Sequence, residues 1–164
     1  MSGHIVSKAV LLSILLSVPL LAQDTPASTA SCNLDDGRQV YIRYNPVAMN
    51  KEKIANGKPF VPGGSPMTLF TEAQLTLGDS TIPVGAYTVY PIPEKNHWML
   101  AVNKNVAAGA SYDEKSDVAR APMDTAQVAD PAQSLEIAFA HVGNRCSLRI
   151  YYGKNASFAD FTAK

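Results

Sequence analysis

Residues 80–103 read STIPVGAYTVYPIPEKNHWMLAVN, and this stretch decides the fold. Tyr87 and Val89 alternate with Thr88 and Tyr90, the period of two that sends successive side chains to opposite faces of a strand. Glu94-Lys95-Asn96 is a polar turn of hairpin length. From His97 the alternation returns, with Trp98, Leu100 and Val102 on one face. The stretch is therefore predicted to be a β-hairpin entered through a tight bend at Val84-Gly85. Pro91 and Pro93 cannot donate to a ladder, so their arm is expected to lie at an edge or to stop pairing early.

The same period recurs on both sides. Upstream, residues 38–45 put Val40, Ile42 and Tyr44 on one face and Gln39, Tyr41 and Arg43 on the other, and Pro46 ends the run. Residues 67–78 alternate again, with Ala73, Leu75 and Leu77 sharing a face, and Thr81-Ile82 adds a short extended piece. Between these runs, residues 48–55 could wind one or two helical turns before Asn56-Gly57 and Pro62-Gly63-Gly64 break them. Downstream, residues 104–116 read as a long loop, followed by a weak strand over 118–125 and a stop at Asp130-Pro131. Residues 134–142 form a strong strand with Leu135, Ile137, Phe139 and His141 together, turned by Gly143-Asn144 into a partner over 145–152. Gly153-Lys154-Asn155 turns the chain once more before a last short strand over 157–161. Seven or more short alternating strands without a long helical period predict an all-β fold: an antiparallel β-sandwich or barrel-like domain with short strands and one long loop.

The N-terminus sets the compartment. Lys8 precedes an uncharged apolar run, AVLLSILLSVPLLA over residues 9–22, which Gln23 and Asp24 end. A basic start, an apolar centre shorter than the roughly 20 residues of a membrane span and a small exit residue describe a secretory signal peptide. Cleavage is expected after Ala22, although Leu20 fits poorly two positions earlier; a retained anchor helix is the alternative. The expected organisation is a signal peptide over 1–22, a flexible polar lead-in over 23–31 and one domain over 32–162. Loss of the leader removes Lys8 and no acid from a chain with 14 basic and 14 acidic side chains. That balance gives no long-range pull on phosphate, and no basic patch with interleaved aromatics argues for nucleic acid. Cleavage would also leave no transmembrane span.

Cys32 and Cys146 both lie beyond the leader, and an exported chain sits where disulfides persist. A Cys32–Cys146 bridge would close a loop of over a hundred residues, worth at most about 4.7 kcal/mol in chain entropy. The alternatives are two buried free thiols or a lipid-modified Cys32. Against the latter stand the distance from the apolar run and the loss of a partner for Cys146.

Chemistry-bearing residues are sparse. Beyond the leader the histidines are His97, beside a turn, and His141, on an apolar strand face. Neither has a second histidine at metal-ligand spacing. No serine stands in a Gly-x-Ser-x-Gly elbow, and Gly63-Gly64-Ser65 lacks the lysine and helix of a phosphate loop. Asp113, Glu114 and Asp117 could offer carboxylate oxygens to calcium, but they lack the alternate-residue pattern with a central glycine and read first as a solvated loop. Asp117 and Arg120 are expected to form a surface pair. Asn155-Ala156-Ser157 fits the glycosylation sequon. No cofactor or metal site is specified. Tyr41, Tyr90 and Tyr151 fall opposite the core set and could build an aromatic platform for a glycan or peptide, against the simpler reading of cross-strand pairing. His141 and Arg145 are the candidates for a polar, hydrolase-like site.

IPVGAYTVYPIP followed by HWMLAVNK resembles the central signature of DUF2911, a family of exported bacterial domains of unknown function. Tyr112-Asp113, Asp117, Arg120 and SLEIAFAHVGNRCSLRIYYG extend the resemblance, as does ASCNLDDG over residues 30–37. The likeness runs from about Ser31 to Phe161. It departs at Asn50-Lys51-Glu52, where members carry Lys-Gly-Arg, and at Pro59-Phe60-Val61-Pro62-Gly63-Gly64-Ser65, where members carry Trp-Arg-Thr-Gly-Ala-Asn-Glu. The polar candidates of the family are missing there, so the resemblance implies a fold and no catalytic residue. The sequence therefore points to a periplasmic or secreted non-catalytic domain with a binding or envelope role. A hydrolase-like enzyme or a surface carbohydrate or peptide binder stands as the alternative, with a small molecule, glycan or protein as partner.

Overall fold

The computed structural model describes residues 26–50 and 54–164. The expected signal peptide and its cleavage point lie outside these residues, as do Lys51 and Glu52. Nine strands form one antiparallel sheet: β1 (Ser28–Asn33), β2 (Gln39–Tyr44), β3 (Met67–Thr71), β4 (Leu75–Leu77), β5 (Ser80–Ile82), β6 (Gly85–Pro93), β7 (Trp98–Asn103), β8 (Asp117–Val142) and β9 (Arg145–Ala163). Their order is β1-β2-β3-β6-β7-β8-β9-β4-β5. The sheet folds over on itself along β8 and β9, giving a sandwich-like all-β architecture.

The hairpin in residues 80–103 forms as its alternation demands. β6 pairs with β7 from Thr88↔Asn103 to Pro93↔Trp98, and the turn closes with the Glu94 N–H donating to the His97 carbonyl at 2.8 Å. The prolines sit where an edge permits them. β3 covers β6 only from Gly85 to Val89, so Pro91 and Pro93 have no strand on that side. Their carbonyls are taken by the loop between β2 and β3: Phe60 N–H donates to Pro91 at 2.8 Å and Gly57 N–H to Pro93 at 2.7 Å. An edge that would otherwise expose unpaired carbonyls is thus covered.

Three expectations are corrected. Ser28 to Ser31, placed in the flexible lead-in, belong to β1, which pairs residue for residue with β2. Backbone ladder bonds hold this segment, and its lack of large apolar residues conceals it, since only Ala30 packs against the core. Residues 48–55 make no helix among those described: Ala48 bridges to Ser134, the Met49 N–H donates to the Gln133 carbonyl and the Leu135 N–H to the Val47 carbonyl. Finally, the last four short strands are two long ones. β8 pairs through Asp117–Met123 with β7, and from Asp124 onward with β9.

β8 and β9 stay continuous by bending. Their register shifts between Gln127 and Ala132 and again between Ala132 and Glu136. Pro131, which has no N–H to offer, falls in the first gap. Opposite, Gly153 has φ +59°, and a Cβ there would lie 2.6 Å from the Met49 sulfur. Stop signals in the sequence therefore act as a joint inside one hairpin. Beyond it, the end of β9 returns beside its own beginning, with the Ala163 N–H donating to the Asn144 carbonyl at 2.8 Å.

The core fills the space enclosed by this fold. Val40, Ile42, Leu69, Leu75, Ile82, Leu100, Val102, Leu148 and Phe161 have no exposed surface. Phe60 closes one end, set edge-on to Trp98 and Tyr152 at 5.7 and 5.2 Å between ring centroids. The Cys32–Cys146 disulfide, with both residues buried, joins edge strand β1 to the start of β9 across 114 residues of chain. It fits an exported chain. No helix among the described residues is long and apolar enough to cross a membrane.

Two outcomes follow. Replacing both cysteines by serine lowers the unfolding free energy by about 2–5 kcal/mol in urea denaturation, and the unfolded, unreduced native chain shows no titratable thiol. Gly153→Ala costs about 1 kcal/mol or more in the same assay, because the positive φ and the Met49 contact both oppose a Cβ.

Candidate functional site

The bend of the β8–β9 hairpin sets two concave features of the molecule. The first is a cleft of about 340 Å³ between the start of β7 and the joint. Trp98 forms one wall, half-buried and braced by Phe60. Gln127 and Asn155 face each other across the ladder, the Gln127 Nε2 donating to Asn155 Oδ1 at 2.8 Å. Thr125 and Ser157, paired in register, supply hydroxyls. Among the described residues the Trp98 indole N–H donates to no acceptor, and neither the Gln127 amide oxygen nor the Asn155 amide nitrogen has a further partner. Among the described residues the lining is one aromatic face, two amides and two hydroxyls, with no charged side chain, which suits a neutral hydroxyl-rich ligand.

A second groove, of about 440 Å³, lies between the two halves of the bent hairpin. Arg145 reaches Asp160 at 3.3 Å there, and the Arg149 guanidinium sits 6.0 Å from the centroid of the Phe158 ring.

A polar cluster on the other side of β7 and β8 has a different character. The Asp117 carboxylate, only 7% exposed, accepts from the Asn103 amide at 2.8 Å and from the Tyr112 hydroxyl at 2.6 Å. Asn103 also donates to the Asp113 carbonyl at 2.9 Å, so the cluster pins the loop between β7 and β8 onto the sheet. Arg120 binds Glu114 and lies 3.8 Å from Asp117 and 4.0 Å from Glu94, which in turn meets His97 at 3.3 Å. Burial and the hydrogen bond to Asp117 push the Tyr112 phenol well above its usual range. Burial raises Tyr87 and Tyr90 as well, Tyr90 with help from the Asp117 charge.

The sequence-predicted residues distribute as follows. Tyr41 stacks on Phe70 at 4.7 Å, and Tyr151 meets Phe158 edge-on at 6.4 Å. Tyr90, expected on an exposed face, is 4% exposed under Tyr112 at 4.9 Å, because the long loop covers that side of the hairpin. The three tyrosines thus keep three separate ring partners. His141 registers with Cys146 and Arg145 with Val142, so alternation sends the two side chains to opposite faces. His141 turns to the Gly143 carbonyl and to Asp35 at 3.6 Å, while Arg145 holds Asp160. The Asp117–Arg120 pair forms, with Asp117 buried and not on the surface. Asp113 accepts from the Lys115 N–H, Glu114 holds Arg120 and Asp117 is bonded as above, so the three carboxylates do not converge; among the described residues no three potential ligands gather for a metal ion. Ser157 of the sequon is buried within β9. Gly63 and Gly64 form a short 3₁₀ turn with Pro62. Trp98, Gln127, Asn155 and Arg149 were legible as candidates only through the joint that gathers them.

The family described as "Protein of unknown function (DUF2911)" matches residues 25–158. An arylsulfatase of Chlamydomonas reinhardtii is 35% identical over 69 residues, which are 42% of this chain and 11% of that protein. The matched region is thus a small part of that relative's length. No solved structure matches.

The raised phenols fix the sign of a pH effect. A neutral phenol favoured by the fold stabilises it fully below the unfolded value of 10.0, and the contribution is lost as pH climbs through the folded value. Thermal melts from about pH 9 to about pH 11 are expected to fall in midpoint, and Tyr112→Phe to make the fall shallower. At neutral pH the same substitution costs about 1–3 kcal/mol for the lost bond to a carboxylate.

Proposed function

The chain belongs to the DUF2911 family, and on that premise we propose that it is an exported, non-catalytic β-sandwich domain, periplasmic or secreted, that binds a neutral hydroxyl-rich ligand such as a sugar. The observation that carries this reading is the Trp98 cleft. A half-buried indole face stands beside the Gln127 and Asn155 amides, and each brings hydrogen-bonding capacity that no other described residue takes up. Sugars present apolar C–H faces to aromatic rings and hydroxyls to amides, which is the complement of this lining. The tyrosine face considered from the sequence is the weaker candidate, since Tyr90 is buried.

A hydrolytic role draws less support. It needs His141 and Arg145 to converge, and their register sends them to opposite faces of the hairpin. The arylsulfatase similarity spans 11% of that protein, and sulfate-ester chemistry forms no part of the proposal.

Trp98 is the sole tryptophan, so its fluorescence reports on the cleft directly. Titration with neutral mono- and oligosaccharides is expected to give a saturable change. Gln127→Ala and Asn155→Ala should each weaken the response about tenfold, as for one or two lost hydrogen bonds, without altering the melting temperature. A panel that leaves the fluorescence unmoved defeats the reading.

A further inference from the structure

We propose that the groove on the outward face of the β8–β9 hairpin is a second binding site, for a small amino-acid-type zwitterion with an apolar or aromatic body. This does not depend on the Trp98 cleft. Four charged side chains line the groove: Arg145, Arg149, Asp124 and Asp160. Two of them satisfy each other, Arg145 and Asp160 at 3.3 Å. The other two stay apart. Among the described residues neither Arg149 nor Asp124 has an ion pair or a side-chain hydrogen bond.

Phe158 lies beside both. Its ring lies 6.0 Å beneath the Arg149 guanidinium, and its register partner on β8 is Asp124. Among the described residues, a cation and an anion without an ion pair thus border one aromatic side chain, itself half-buried and met edge-on by Tyr151. Ala140 and Gly78, which also line the groove, leave its floor open. Its volume of about 440 Å³ falls within the roughly 300–1,000 Å³ usual for small-ligand sites.

Charge complementarity selects the occupant. A simple anion drawn to Arg149 meets Asp124, and a simple cation drawn to Asp124 meets Arg149. A zwitterion answers both, its carboxylate on Arg149 as a paired, directional contact and its ammonium on Asp124. Its side chain then covers the Phe158 ring. Ser147, two residues from Arg149 on the same face of β9, adds a hydroxyl within reach of the carboxylate end.

The test uses L-phenylalanine, N-acetyl-L-phenylalanine, which lacks the ammonium charge, and phenethylamine, which lacks the carboxylate. Calorimetry on the intact protein is expected to show binding of L-phenylalanine and at least about tenfold weaker binding of each analogue. Arg149→Gln and Asp124→Asn should each weaken L-phenylalanine about tenfold, with the melting temperature unchanged because both side chains are exposed. Gln127→Ala should leave this affinity intact while weakening the sugar response, which separates the two sites. Equal binding of all three ligands, no binding of L-phenylalanine up to its solubility limit, or indifference to Arg149→Gln overturns the proposal.

Discussion

The bend in the β8–β9 hairpin is the constraint on which the rest depends. A strand of 26 residues paired with one of 19 cannot lie flat over so small a core. Sheet twist accumulates along the pair, and the ladder releases it where register fails between Gln127 and Glu136. That release lets the first half of β8 serve β7 while the second half crosses back toward β1 and brings Cys146 to Cys32. It also sets two concave features: the Trp98 cleft lies at the joint itself, and the Arg149 groove lies on the outward face where the two halves of the hairpin run side by side.

The loop between β2 and β3 makes the bend permanent. Met49 and Val47 bond the backbone on either side of Ser134, Gly57 and Phe60 bond the proline arm of β6, and the Asn50 N–H reaches the Tyr152 hydroxyl at 3.1 Å. Phe60 then fills the end of the core between Trp98 and Tyr152. Phe60 is thus an apolar stopper that braces the indole walling the cleft.

Local chemistry made much of the fold legible. Period-two alternation located β2, β3, β6 and β7, turn residues located the hairpins, and the missing proline N–H located the open edge of β6. The pairing of Cys32 with Cys146 needed only compartment and count. The joint was not legible, because Asp130-Pro131 and Gly153 read locally as endings and only the opposing strand turns them into a hinge. β1 was hidden because Ser28 to Ser31 contribute ladder bonds and, against the core, only the small Ala30. The candidate sites fared in the same way. Arg145 and Tyr151 were visible as outward residues of one strand, whereas Arg149 gains meaning from Phe158, and Trp98 from Gln127 and Asn155, across a bend that leaves no local pattern.

The disulfide carries a consequence in time as well as in space. Its two cysteines are 114 residues apart, the first in the first described strand and the second at the head of the last. As the chain emerges from its N-terminal side, Cys32 has no partner until seven further strands have appeared. Oxidation of this pair thus marks a chain that extends at least to the head of β9, and a product that stops before Cys146 carries a lone thiol on an edge strand, a chemical mark that separates it from longer molecules.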